Sequence, residues 1–277
     1  MLQDLALKNF RNQYENLKPQ KSDKIVIFSE GRILVFRDKD DSLVLPCYGE
    51  LEGVVDENKI CYVFGLLDKN YFIYFDESVE EFQNYRYESV RTFRQIISKD
   101  VCFAVMTAWH TYCWYKNNSY CGRCGEKTVH DEKERMKKCP RCGNMIYPRI
   151  SPAVIIGVTD GDRLLLSKYA GRSYTRFALL AGYTEIGETL EETVEREVME
   201  EVGLKVKNIR YYKSQPWGVD GNVLMGFYCD LDGDDKISLD ESELSMAGWY
   251  RRGEIPAKDD GISLTREMIR MFDEGKI

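Results

Sequence analysis

Apolar positions come in short runs over the first part of the chain. "KIVIFSEGRILVFR", residues 24–37, places two such runs on either side of Glu30-Gly31. That pattern predicts two strands joined by a turn. "YVFGLLDKNYFIYF" (Tyr62–Phe75) repeats it around Asp68-Lys69-Asn70. The N-terminal part is therefore expected to be β-rich, and it carries no catalytic signature. From about Asp100 to Tyr115 the period becomes helical, with Val101, Val105, Ala108 and Trp114 among the apolar positions. Beyond a cysteine-rich stretch at 121–142, "AVIIGVTDGDRLLLSKY" predicts a hairpin around Thr159-Asp160-Gly161-Asp162. "YYKSQPW", "VLMGFYCDL" and "AGWYR" read as further strands. An amphipathic helix begins at about Ser263, with Met268, Ile269, Met271 and Phe272 on its apolar side. No fixed-period repeat interrupts the series.

One helix stands at the centre of the second half. Thr189 followed by Glu192 is a capping-box pattern, and Gly203 suits the left-handed residue past the last turn. Leu190, Val194, Val198 and Val202 form its apolar stripe. Glu197, Glu200 and Glu201 stand at i, i+3 and i+4, so three like charges are neighbours. Glu197 and Glu201 fall at one margin of the stripe, and Glu200 lies just beyond. Arg196 is the only base inside the helix. A solvated acidic face is one reading. The other is a cation site, because the preceding "GYTEIGE" supplies Gly182, Gly187 and Glu188 in a loop entering the helix. Mg²⁺ or Mn²⁺ takes carboxylates, a carbonyl and waters, and keeps positions open for phosphate oxygens.

Composition narrows the class of partner. The net charge of −7 argues against a general grip on nucleic acid or on a membrane surface. An anionic substrate would then need a bound metal to offset the protein's field. No apolar run is long enough to span a bilayer. The start, "MLQDLALKNFRNQ", with Asp4 early, is not read as a secretory signal. Nine cysteines without such a signal fit a reducing cytoplasm, as free thiols or metal ligands. The two histidines, His110 and His130, are read as packing or surface residues.

Four cysteines have a specific spacing. "CGRCG" and "KCPRCG" give Cys121, Cys124, Cys139 and Cys142, two Cys-x2-Cys knuckles fourteen residues apart. Four thiolates at about 2.3 Å make a closed tetrahedral zinc shell with no catalytic water. Gly125 and Gly143 permit the knuckle turns, and Arg123, Lys137, Lys138 and Arg141 offset the charge. Cys47, Cys61, Cys102, Cys113 and Cys229 lie among apolar residues and read as core.

"GYTEIGETLEETVEREVMEEVGL" (Gly182–Leu204) meets every position of the Nudix box, G-x5-E-x7-R-E-U-x-E-E-x-G-U with U aliphatic. With the cysteine ribbon upstream, "YPRISPAVI" after it and "SQPW" (Ser214–Trp217) downstream, the chain resembles the NADH pyrophosphatase family of Nudix hydrolases. The resemblance covers about residues 85–277, and residues 1–84 only in general architecture. It implies an α+β protein: a Nudix α/β/α sandwich at 149–277, a zinc ribbon at 116–148, and a β-rich domain ending in a helix at 1–115.

The resemblance also implies an activity, hydrolysis of NAD(H) to AMP and nicotinamide mononucleotide, with removal of NAD caps from RNA 5′ ends as a further expectation. It gives Glu197, Glu201 and the carbonyl of Ala181 as ligands of Mg²⁺ or Mn²⁺. Glu200 is a further acidic residue of that cluster and a candidate general base, and Glu243 is a distant ligand. Metals then neutralise the pyrophosphate and acidify a bound water. Arg196 and Glu188 pair to hold loop against helix, with Gly182 and Gly203 as structural positions of the box. Tyr147, Tyr183, Gln215, Trp217, Arg91, Glu134 and Thr265 fall at substrate-contact positions. Trp217 reads equally well as a core residue at a strand end. The family's assembly implies a homodimer.

One stretch departs from the family pattern SQPWPFPxS. Here Gly218, Val219 and Asp220 replace Pro, Phe and Pro, in a loop about one residue longer. The change exchanges a stiff, stacking loop for one expected to be flexible. It leaves open a Nudix hydrolase of ADP-ribose, FAD or a dinucleoside polyphosphate. A nucleotide-sensing protein with an inactive Nudix domain would show an eroded acidic cluster, and this cluster is intact.

Overall fold

The computed structural model describes all residues except 7–8, 40–41, 91–97, 172–175 and 258–259. The chain divides into two compact units. One holds Leu2–Arg149 and Gly218–Gly221, and the other holds Met1, Ile150–Trp217 and Asn222–Ile277.

In the first unit a short helix α1 (Gln3–Ala6) precedes seven strands: β1 (Phe10–Arg11), β2 (Lys24–Ser29), β3 (Arg32–Arg37), β4 (Leu43–Val44), β5 (Ile60–Leu66), β6 (Lys69–Tyr74) and β7 (Tyr85–Ser89). They pair in the order β1-β5-β6-β2-β3-β4, and β7 adds along β3. The β2–β3 turn is the expected Glu30-Gly31, with φ of 49° and 75°. Positive φ at both central residues gives the twist that a two-residue hairpin loop needs. The second hairpin turns earlier than the pattern suggests. Leu66 pairs with Lys69, so the turn is Leu67-Asp68 rather than Asp68-Lys69-Asn70. Leu67 has φ 53°, a conformation that leucine rarely adopts, so its residue type gave no turn signal. Ile25, Ile27, Leu34, Phe72 and Tyr74 lie in one buried cluster. Helix α2 (Lys99–Asn117) follows, with Ser98 capping the amide of Val101. Three two-residue strands, β8 (Val129–His130), β9 (Lys137–Lys138) and β10 (Met145–Ile146), make the ribbon.

The second unit is a sheet between two helices. Strands β11 (Ser151–Asp160), β12 (Arg163–Tyr169), β13 (Leu180–Tyr183), β14 (Val206–Trp217), β15 (Asn222–Leu231) and β16 (Leu244–Arg251) accompany helices α3 (Leu190–Val202) and α4 (Leu264–Asp273). The order is β14-β15-β11-β12-β16, with β13 also on β11. Side chains alternate across β11. Val154, Ile156 and Val158 face the α3 cluster, with Val194, Val198 and Val202 fully buried. Ile155 faces the α4 cluster with Leu264, Met268 and Phe272. Burial of each such valine contributes about 1.5–3 kcal/mol. This is the α/β/α sandwich the sequence implied. Gly161, at φ 58°, opens the β11–β12 turn. β12 pairs β11 only over Thr159–Asp160, and β13 takes the same strand over Ala153–Ile156. That exchange delivers Ala181-Gly182-Tyr183 to the loop entering α3. Among the described residues no helix is long and apolar enough to cross a membrane.

Candidate active site

Both ends of α3 are fixed by local chemistry. Thr189 Oγ1 accepts from the amide of Glu192 at 3.2 Å, and Glu192 Oε2 accepts from the amide of Thr189 at 2.8 Å. Gly203 ends the helix at φ 68°, donating to the Met199 carbonyl. The valine stripe then fixes the helix's rotation on the sheet. Glu197 is left 8% exposed and Glu201 2% exposed, while Glu200 points to solvent.

Arg196 organises this margin. Its Nε donates to Glu188 Oε1 at 2.6 Å, and its Nη2 to the Tyr183 carbonyl at 2.9 Å. Its Nη1 donates to Glu197 Oε1 at 2.7 Å and to Glu200 Oε2 at 2.8 Å. One guanidinium thus ties the loop, the end of β13 and two carboxylates of the helix. Glu188 also accepts from the amide of Glu185 and the hydroxyl of Thr193, both at 3.0 Å. Arg196 foremost, then that amide, hold the Glu188 carboxyl down at about 2. Glu197 moves the other way. Burial raises its pKa, Arg196 opposes this, and the charges of Glu200 and Glu243 add to the rise. A buried carboxylate beside two others favours a further cation.

Gly182 has a steric reason. A Cβ there would stand 1.9 Å from the Glu197 carboxylate, so only glycine admits that side chain against β13. Ala181 pairs with Ile155 in the sheet. Glu243 sits exposed immediately before β16, and its carbonyl accepts from Ala170.

The predicted substrate contacts fall in both units. Tyr183 is half exposed, and its hydroxyl donates to Asn222 Oδ1 at 3.1 Å. Gln215 is fully buried. Its amide donates to the Ile262 carbonyl at 2.8 Å and accepts from the Leu264 amide at 2.7 Å, which anchors the start of α4. Trp217 ends β14, half-buried opposite Asn222, and Thr265 is half-buried in the first turn of α4. In the other unit Tyr147 donates to Glu134 Oε2 at 2.9 Å. Arg91 lies outside the described residues.

Two features were not anticipated from the sequence. The contact of Arg196 with Glu197 and Glu200 is one; the i, i+4 spacing to Glu200 was its signal. The close packing of the loop after Trp217, expected to be flexible, is the other. Its glycines answer to packing: a Cβ on Gly218 would meet the Met106 carbonyl at 2.2 Å, and Gly221 turns at φ 72° beside the His110 ring. His110 Nε2 lies 2.8 Å from the Arg149 carbonyl, a packing role.

The ribbon gathers its ligands more closely. Among the described residues, Cys121, Cys124, Cys139 and Cys142 are the one group of three or more His, Cys, Asp or Glu whose ligand atoms all lie within 4.8 Å of one another. Sulfurs of Cys121 and Cys142 are 3.6 Å apart, and those of Cys124 and Cys139 are 3.5 Å apart. The amides of Arg123 and Cys142 donate to Cys121 and Cys139, each at 3.4 Å. The Arg123 amide foremost holds the Cys121 thiol down at about 6, and the Cys142 amide lowers Cys139. Cys124 is pushed up to about 12: the Glu126 amide lowers it, but burial and the other three sulfurs prevail. Gly125 and Gly143 turn at φ 74° and 72°. A zinc ion fits this donor set as a closed, structural shell. Of the other five cysteines, Cys102 and Cys229 are buried as core residues, while Cys47, Cys61 and Cys113 are only half-buried.

Comparison with known proteins gives matches along the same segments. Residues 149–272 match the NUDIX domain, and residues 116–147 match the NADH pyrophosphatase zinc ribbon domain. The chain is 38% identical over 156 residues to the NAD-capped RNA hydrolase NudC of Erwinia tasmaniensis, covering 56% of this chain and 59% of that protein. It is 36% identical over 195 residues to the NAD-capped RNA hydrolase NudC of Shigella dysenteriae serotype 1, covering 70% of this chain and 76% of that protein. The fold matches the crystal structure of a NUDIX hydrolase from Nitrosomonas europaea with TM-score 0.50, at 22% identity, over 57% of this chain and 92% of that one.

Proposed function

The chain belongs to the NADH pyrophosphatase family of Nudix hydrolases, and from that premise we propose that it cleaves the pyrophosphate of NAD(H) to give AMP and nicotinamide mononucleotide. It also removes NAD from the 5′ ends of capped RNA, acting on the terminal nucleotide, since a chain of net charge −7 has little general grip on the RNA body. The observation that carries this reading is the intact acidic box on α3, with Glu197 and Glu201 at the core margin and Glu197 seated against Gly182.

The donor set suits Mg²⁺ or Mn²⁺, because Glu197 and Glu200 share one guanidinium and Glu201 adds a third carboxylate on the same helix. Glu197, Glu200 and Glu201, with Glu243 and the Ala181 carbonyl, would hold the ion. When bound, such an ion polarises phosphoryl oxygens and acidifies water. Glu200, exposed on α3, is the candidate general base that would accept a proton from the attacking water. Arg196 and Glu188 keep the loop against the helix. Tyr183 offers a half-exposed ring for stacking. The ribbon holds one structural zinc per chain, and the working form is a cytoplasmic homodimer.

The loop at Gly218–Gly221 supports a second reading, in which the same chemistry serves ADP-ribose, FAD or a dinucleoside polyphosphate. The test is product identification from NADH, NAD, ADP-ribose and FAD with Mg²⁺ or Mn²⁺. AMP from NAD(H) at the highest kcat/KM is expected. No AMP from NAD(H), with faster turnover of another compound, would move the assignment to the second reading.

A further inference from the structure

We propose that the first unit carries a second nucleotide site, a non-catalytic pocket for a nucleoside monophosphate. A cavity of about 520 Å³ lies wholly within that unit, lined from β5, α2, the segment after β1 and the ribbon. Its size suits a small ligand, for which pockets run about 300–1,000 Å³. It shares no residue with the acidic helix or with the four zinc ligands.

Two chemistries meet there. One wall is aromatic. Tyr115 packs edge-on to Phe75 at 5.0 Å, and Phe75 and Tyr14 are only half-buried, so their rings are available to a planar group. The other wall is cationic. Lys116, Lys127 and Lys137 line the cavity with one carboxylate, Glu77, and Glu77 is taken by Lys116 and by the Tyr112 hydroxyl. Among the described residues neither Lys127 nor Lys137 makes an ion pair, although the chain as a whole carries seven excess negative charges. Lys137 stands 6.0 Å over the Tyr115 ring, and two ammonium groups without carboxylate partners among aromatic side chains fit a phosphate ester attached to a planar ring. Asn16, Asn58 and Ser119 add donors and acceptors for the sugar or the base edge.

The floor is already organised. His130 stands between two hydroxyls: Tyr14 Oη is 3.4 Å from its Nδ1, and Tyr115 Oη is bonded to its Nε2. Burial foremost keeps this imidazole neutral by lowering its pKa. The histidine therefore fixes the two tyrosines and adds no charge, and the lysines carry the anion recognition. The Cys61 thiol lies 3.9 Å from His130 Nε2, but burial foremost raises its pKa and keeps it a neutral thiol, so the pocket is assigned binding alone.

The test is calorimetry of the full-length, zinc-loaded chain with AMP, adenosine and inorganic phosphate, without added Mg²⁺ or Mn²⁺. Hydrogen exchange on the same samples locates any protection. AMP is expected to bind at one site, about tenfold tighter than adenosine, since its phosphate adds a bond between charged groups. Protection should appear over residues 58–62 and 112–119, and persist in Glu201→Gln. Lys127→Glu with Lys137→Glu should abolish binding while zinc content stays at one per chain. If that double variant loses zinc, Lys127→Ala, at an exposed position, decides instead, with weakening expected. AMP that fails to bind, or binds these variants as tightly as the parent, or protects only residues 180–204, would overturn the proposal.

Discussion

The ribbon and the acidic helix both crowd like ligands together, and they do it by different means. In the ribbon the backbone does the gathering. Each knuckle turns through a left-handed glycine and aims amides at its sulfurs, so four thiols converge within 4.8 Å. On α3 a side chain does it. Arg196 spans Glu188, Glu197 and Glu200, and the helix supplies only the spacing. A site converged by backbone is coupled to folding. A site converged by a side chain is coupled to charge, and can exchange its partner without unfolding.

The comparison is broken most easily at the ribbon. Cys139→Ser removes a buried ligand, and structural zinc in small domains contributes ~10–16 kcal/mol. Zinc content should fall from one per chain to near zero, with a large loss of Tm. A variant that keeps zinc and Tm would place the ribbon's stability elsewhere. The acidic helix should respond through activity instead. Gly182→Ala drives a Cβ to 1.9 Å from the Glu197 carboxylate and must displace it. Turnover is expected to fall ~10–100-fold, the effect of disturbing a ligand's support, with zinc retained and Tm only modestly lower. Unchanged turnover would mean that the position of Glu197 is not used.

The smallest effect is on acid stability. Glu188 sits at about 2 in the folded chain, below the ordinary carboxylate value, so its contribution is present above about 4.5. It is lost as pH falls through about 2. Glu188→Gln should therefore flatten the loss of Tm between those values and lower Tm at neutral pH. Glu197 has the opposite sign: its raised pKa favours folding with the carboxyl neutral, so its charge opposes folding of the metal-free chain as pH rises.

The same distinction explains what the sequence disclosed. The caps of α3, its valine stripe, the Glu30-Gly31 turn and both cysteine knuckles depend on residues within a few positions of one another, and each was readable. Leu67 in a left-handed turn was not, because tertiary pairing of β5 with β6 overrode a residue type that does not favour it. The hairpin of β11 with β12 was readable from its turn, but the pairing of β11 with β13 and with the parallel β15 joins segments far apart in the chain and leaves no local period. Gly182 and Gly218 were visible as glycines, but their reasons, the Glu197 carboxylate and the Met106 carbonyl, are tertiary contacts. Gln215 illustrates the limit for function: a residue placed among substrate contacts by resemblance has its amide bonded to the backbone on both sides.

The central claim is that the α3 carboxylates form a hydrolytic cation site independent of the structural zinc. The most direct measurement is AMP release from NADH with Mn²⁺ by the parent chain and by Glu201→Gln, with zinc content determined on the same samples. The account predicts that the variant keeps one zinc per chain and loses at least ~10²-fold in kcat, the scale for removing a group that stabilises developing charge. Full turnover by the variant would contradict it, as would loss of the zinc together with activity.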